Sequence, residues 1–232
     1  MTDSICLWIT ILVWFLASGA IFIATVAFLA RWFEIAVPVL GLGLPTLIRF
    51  HIGETEVRVG LLFVNAYATV LDYSNDDEFQ DVNRDGRHLN DISLWKQIVF
   101  SLVGLAPPLI LSVALVPWPE LANRILTGLG DYVGGALDPM GRGQELLVKF
   151  IAIAHASIPH AVGIIATKSL LWIALPFLTS PTTAALNRIA LCMGYGGIPK
   201  DVNLFVALVW LLPVYLPYLG WGIAAVVYTW HA

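Results

Sequence analysis

Residues 41–72 read GLGLPTLIRFHIGETEVRVGLLFVNAYATVLD, and this stretch decides what kind of fold the chain adopts. Two runs rich in β-branched and alternating residues, 46–52 and 55–64, flank Gly53–Glu54, the pattern of a β-hairpin with a two-residue turn. Around the hairpin the chain is far more apolar than a soluble domain. Of its 232 residues 59% are hydrophobic and 12% charged, with a mean hydropathy of +0.82, against roughly 45–50% apolar and ~25% charged in soluble proteins. A hairpin beside membrane segments is constrained, because an open strand edge cannot face lipid. It has to lie at the membrane surface or against protein.

A spanning helix needs about 20 mainly apolar residues, and four regions supply them: about 5–30, 97–117, within 146–178, and 203–228. No Lys or Arg precedes the first, and its apolar run is longer than that of a signal peptide, so it reads as a retained span. The third is too long for one simple crossing, and Pro159 or the Lys168–Ser169 pair is expected to divide it into a surface helix and a span. The glycine-rich stretch GLGDYVGGALDPMGRG, 128–143, reads as a turning connector. The expected architecture is mainly α: one polytopic membrane domain over 1–232, with about four transmembrane helices. A membrane-associated hairpin at 44–72 and an acidic loop at 72–95 complete it.

Charge orients the loops. Six of the twelve Lys and Arg fall between Arg31 and Lys96, three in 118–149, one at Lys168 and two in 179–201. The positive-inside rule therefore puts 31–96 in the cytoplasm and the N-terminus outside. A net charge of −4 gives no reason to expect nucleic acid. Cys6 and Cys192 stand in or beside apolar segments without metal-ligand spacing and read as packed or lipid-facing thiols.

Candidate chemistry starts with HASIPH at 155–160. Zinc-protease histidines four apart lie about 40° apart around a helix and face one ion, with a Glu between them as base. His155 and His160 are five apart, which is about 140°, and no carboxylate lies between them. They read as lining a helix contact or bonding to neighbouring backbone, with a metal or haem site as the alternative. In DVNRDG, Asp81, Asn83 and Asp85 supply three oxygens at alternate positions before a glycine, the start of a calcium loop. The second half is poor, since His88 and Ile92 stand where an apolar residue and a Glu belong, leaving Asp91 as the substitute. The other reading is a solvated acidic turn, with no cofactor at all. LASG at 16–19 reads as small residues at a helix contact.

The order of a long first helix, a GLG turn, a strand pair with GETEVRVG, then LLFVNAYATVLD, a charged loop, LNDISLWKQIVFSLVGLAPPL and a late LPFLTSP resembles the site-2 protease family of intramembrane zinc metalloproteases. LFVNAYATVLD keeps Tyr67, Leu71 and Asp72 of the segment that follows that family's hairpin. LNDISLWKQ keeps Asn90 and Ser93 of its next block, and Gly104 falls at the glycine of its GP pair. The resemblance implies a three-helix core with a membrane-associated sheet on the cytoplasmic side. It also implies a lost active site. Counting back from Gly41–Gly43 puts Ala20, Ile21 and Ala24 at the HExxH positions, and aligning the late Leu–Pro pair puts Pro181 at the third ligand. None of these side chains offers a lone pair to zinc.

The expected function is a catalytically inactive site-2-protease-like membrane protein, an accessory subunit or docking scaffold in a hetero-oligomeric membrane complex. Its expected partners are membrane lipids and other subunits, and a bacterial inner membrane is its expected location. The alternative is a metal-dependent intramembrane hydrolase rebuilt around His155 and His160. A transport subunit, resting on Pro213 and Pro217, is a third reading.

Overall fold

The computed structural model describes residues 2–70, 87–171, 173–174, 216–217 and 219–230. The chain is mostly helical with one small sheet. Its backbone divides into two compact units, Phe15–Pro107 and Met1–Trp14 with Pro108–Ala232.

Helix α1, Asp3–Phe33, has 31 residues, about 46 Å at 1.5 Å each, enough to cross the ~30 Å hydrocarbon core of a bilayer. Asp3 in its first turn and Arg31 in its last complement the helix dipole. Glu34, at φ 60°, takes the left-handed conformation that stops it. Only 17% of its most apolar 18-residue window is buried, at a mean hydropathy of 2.3. A soluble protein hides such a helix in its core; this one leaves most of its apolar surface open. The rod Leu94–Leu115 passes the same test, with 28% buried. It consists of α2 (Leu94–Ser101), a 3₁₀ turn at Val103–Leu105 and α3 (Ala106–Leu115). Pro107 and Pro108 fall in the first turn of α3, where a missing N–H costs least. The first two expected spans are therefore helices long and apolar enough to cross a membrane. In the third and fourth regions the described residues hold two shorter apolar helices, α6 (Ile158–Leu171) and α7 (Leu219–Trp230).

The hairpin is present and longer than its sequence pattern. Strand β1 runs Val39–Ile52 and β2 Thr55–Thr69, with Ile52 opposite Thr55 across the turn. Gly53 has φ +61°, the first central position of a type II′ turn. Both strands bend. Residues 39–42 pair antiparallel with 66–69 and also run alongside 56–59 in the same direction, while 48–52 pair antiparallel with 55–59. The segments thus lie in the order 48–52, 55–59, 39–42, 66–69. Gly41 faces Tyr67 across the pair, and a Cβ there would overlap the Tyr67 ring. The core of this unit joins Val26, Ala30 and Phe33 of α1 to Ile35, Leu40, Ile92 and Phe100.

The expected connector at 128–143 is corrected by the structure: α4 is a 20-residue helix, Trp118–Leu137, that runs through its glycines. Gly128 and Gly135 are contact positions rather than breaks, while Gly130 faces open space. A Cβ on Gly128 would stand 2.8 Å from Lys168 Cα, and one on Gly135 would stand 2.5 Å from the Trp221 ring. Small residues at such spacing let helices approach closely. The turn is confined to the residues between α4 and α5 (Arg142–Ala156). There the Asp138 carboxylate accepts the N–H of Gly141 at 3.0 Å and of Arg142 at 2.9 Å, and these two donors hold its pKa below the ordinary value.

The division expected at Pro159 or Lys168–Ser169 falls at Ser157. Its backbone is extended, φ −162° and ψ 107°, it closes α5, and its Oγ accepts the His160 N–H at 3.3 Å as the N-cap of α6. Pro159 acts from the first turn of α6, where it is tolerated. Lys168 and Ser169 continue the helix.

A Cβ on Gly19 would overlap Leu42 of the sheet. Gly19→Leu is therefore expected to cost about 1–3 kcal/mol by overpacking, read as a lower midpoint in a detergent-phase unfolding titration. An unchanged midpoint would show that α1 and β1 are not packed this way.

Candidate functional site

The positions that the protease resemblance assigns to metal chemistry sit mid-way along α1. Ala20 and Ala24 are exposed and Ile21 is half-buried, whereas the side of α1 that meets the sheet carries Gly19, Val26, Ala30 and Phe33. Pro181, the counterpart of the third ligand, lies outside the described residues, as do Asp81, Asn83 and Asp85 of the calcium-loop pattern. Asp91 closes a 3₁₀ turn, Leu89–Asp91, its N–H bonded to the His88 carbonyl at 3.0 Å. Among the described residues, no three His, Cys, Asp or Glu side chains come together as a metal-holding group.

His155 and His160 are directed to separate partners. His155, in the last turn of α5, meets Asp3 at 2.9 Å through Nε2, and the other Asp3 oxygen accepts the Tyr228 hydroxyl at 3.2 Å. The start of α1 and the end of α7 are thus tied to α5 through one carboxylate. His160 Nδ1 lies 3.3 Å from the Leu115 carbonyl, one of the oxygens that the end of α3 leaves without a helical partner. Gly163, one turn on, allows this approach: a Cβ there would stand 2.7 Å from the Leu115 Cβ. Cys6 is fully buried against Ala154 and Ala161.

Two features carry polar or binding surface. The first is the outer hairpin. Along 48–52 the side chains alternate, placing Ile48, Phe50 and Ile52 on one face with Val59 and Val57 opposite, and Arg49 and His51 on the other with Arg58 and Glu56. The apolar row is open, with Ile48 59%, Phe50 43% and Ile52 66% exposed. On the polar face Glu56 takes Arg58 at 2.8 Å and Arg49 at 3.8 Å. The Arg58 hydrogen bond holds the Glu56 carboxyl below its ordinary pKa of 4.5, helped by the charges of Arg58, Arg49 and His51.

The second is a cleft of about 490 Å³ beside α4, lined by Glu120, Asn123, Arg124, Thr127 and Asp131 with Lys168 of α6. Glu120 pairs with Arg124, Nη2 at 2.8 Å and Nε at 2.9 Å. Asp131 is shared by two cations, Lys168 and the Arg142 guanidinium at 3.0 Å. Burial pushes the Asp131 carboxyl up, but the hydrogen bonds and charges of Lys168 and Arg142 prevail and hold it below the usual range. Sequence reasoning missed this cluster because α4 was not expected as a helix. The available signal was Lys168, a charge inside an apolar run.

Comparison of the chain with protein-family models, with curated proteins and with solved structures finds no match in any of the three.

Glu56 supplies a pH test. A carboxyl whose folded pKa is depressed stabilises the fold above its unfolded pKa and loses that contribution as the pH falls through the folded value. Amide-exchange protection over 48–59 is therefore expected to weaken in wild type as the pH drops below 4.5. Glu56→Gln should already show the weaker protection at neutral pH and no further acid step. Parallel curves for the two proteins would remove the Glu56–Arg58 pair from the hairpin's stability.

Proposed function

We propose that the chain is an integral membrane protein without catalytic chemistry, an inactive site-2-protease-like accessory subunit that docks another subunit on its hairpin. The observation that carries this reading is the outer segment 48–52. Among the described residues it is paired on one side only, with 55–59, and it displays Ile48, Phe50 and Ile52 on an open face. A strand with a free edge binds an extended peptide by main-chain hydrogen bonds, and alternate side chains then select the sequence. An unprotected apolar edge is a liability unless a partner or a surface covers it.

Three further observations support the non-enzymatic half of the proposal. Ala20, Ile21 and Ala24 offer no metal donor, Ala20 and Ala24 lie on the exposed side of α1, and His155 and His160 are engaged by Asp3 and the Leu115 carbonyl. Four apolar regions support four crossings, the charge distribution supports an outside N-terminus with the hairpin cytoplasmic, and that topology together with the protease resemblance favours a bacterial inner membrane. Trp32, Trp95, Trp118 and Trp230, all exposed, suit anchoring at the two interfaces.

The test has two arms. Elemental mass spectrometry of the detergent-purified protein should find no stoichiometric zinc before or after chelation; one zinc per chain retained through purification would overturn the inactive reading. In native membranes the protein should migrate in an assembly larger than itself, and Ile48→Asp combined with Phe50→Asp should release it as the free chain. Identical migration of the two proteins would sink the docking half.

A further inference from the structure

Helix α4 carries three stripes. Leu121, Gly128, Tyr132 and Gly135 are buried against neighbouring helices. Trp118, Leu126 and Leu137 are 75%, 78% and 78% exposed and fall within about 100° of one another around the axis. Glu120, Asn123, Arg124, Thr127 and Asp131 fill a separate arc centred roughly 140° from that apolar stripe. A helix held on one side by protein, with an apolar row and a polar row on its remaining surface, has the form of one lying in a membrane interface. Its bare leucines and tryptophan call for acyl chains, and its polar arc then sits at headgroup level.

The polar arc is also where the cleft opens, and its charge is unbalanced. Glu120 and Arg124 neutralise each other, whereas the single Asp131 carboxylate is claimed by both Lys168 and Arg142. With Arg142 counted, which reaches Asp131 from beside the cleft lining, the group carries one positive charge in excess. Donors remain as well: an ammonium has three N–H and a guanidinium five, of which Lys168 uses one on Asp131 and Arg124 two on Glu120. Lys168 itself rises from an apolar helix, and an ionisable group in that position has a partner or a purpose beyond packing.

We propose that the Arg124–Lys168 cleft binds the phosphodiester of a membrane phospholipid, with α4 lying in the interface and the lipid's chains running over its Trp118–Leu126–Leu137 stripe. A phosphodiester carries one negative charge, which matches the excess. Its two free oxygens accept from Lys168 and Arg124, and charge-assisted bonds of this type are the stronger ones. Basic pockets between membrane helices hold lipid headgroups in the same way. The site is independent of the hairpin and stands whether or not a subunit docks there.

Native mass spectrometry of the full chain in mild detergent tests this, with phosphatidylglycerol titrated in. Diacylglycerol serves as the tail-only probe and inorganic phosphate as the free-anion probe. Phosphatidylglycerol should bind, diacylglycerol should bind at least about tenfold more weakly, and inorganic phosphate should not displace the lipid. Arg124→Gln and Lys168→Met should each weaken binding about tenfold, the scale of one lost charge-assisted hydrogen bond, while Lys149→Gln, at an exposed position on α5, should not. Lys168→Met leaves Asp131 paired with Arg142; if that variant does not fold, Arg124→Gln at the rim of the cleft decides. Equal binding of diacylglycerol would reduce the surface to a tail contact, and displacement by phosphate would make it a site for the free anion. Either result, or unchanged binding by both variants, overturns the proposal.

Discussion

Backbone polar groups in an apolar solvent must find partners within the chain, because each unpaired N–H or carbonyl costs several kcal/mol where water is absent. Helices meet this demand internally, and α1 and the Leu94–Leu115 rod are long and apolar enough to cross a membrane on those terms. A two-stranded ribbon cannot meet it in the same way. Here the strands bend, so that 39–42 lie between 66–69 and 56–59 and are paired on both sides. The hairpin builds its own sheet interior, 39–42 and 55–59, from one turn, and Leu40 of that interior packs against α1. Among the described residues, segments 48–52 and 66–69 form the two edges of this sheet, each paired on one side, and of the two 48–52 carries the open apolar row.

The same demand governs the helix ends. The last carbonyls of α3 receive the His160 ring, the first amides of α5 receive the Asp138 carboxylate, and the first turn of α6 receives the Ser157 hydroxyl. These are polar side chains placed where a helix stops, and each takes up backbone groups that the helix leaves without a partner. His160 is thereby a backbone cap. A histidine in an apolar run is most simply explained by the nearest unsatisfied carbonyl, and here that carbonyl is present.

Much of this was legible in the sequence. The hairpin turn follows from Ile52-Gly53-Glu54-Thr55, because a glycine at the first central position meets the turn's positive φ without strain. The first two apolar helices follow from length and composition; of the two places expected for the break in the third region, Pro159 lies two residues from the joint at Ser157, while Lys168–Ser169 lies inside α6. The strand bounds were too narrow, because pairing beyond 64 and before 44 depends on contacts between parts of the chain that no local pattern encodes. Helix α4 was missed for a definite reason. Its glycines lower helix propensity by about 1 kcal/mol each, and close approach to Lys168 and Trp221 outweighs that cost only once the neighbours are in place. The ion cluster at Asp131 was hidden with it, since its members come from three helices.

Ser157 has a mechanical consequence. It is the C-cap of one helix and the N-cap of the next, so α5 and α6 meet at a joint one residue long. Such a joint has no slack to absorb a sliding motion, and any displacement of one helix reaches the other as a rotation about the φ and ψ of a single residue. His155 on one side anchors to the first turn of α1, and His160 on the other anchors to the last turn of α3. The two histidines thus tie the helices on either side of a one-residue joint to the ends of α1 and α3.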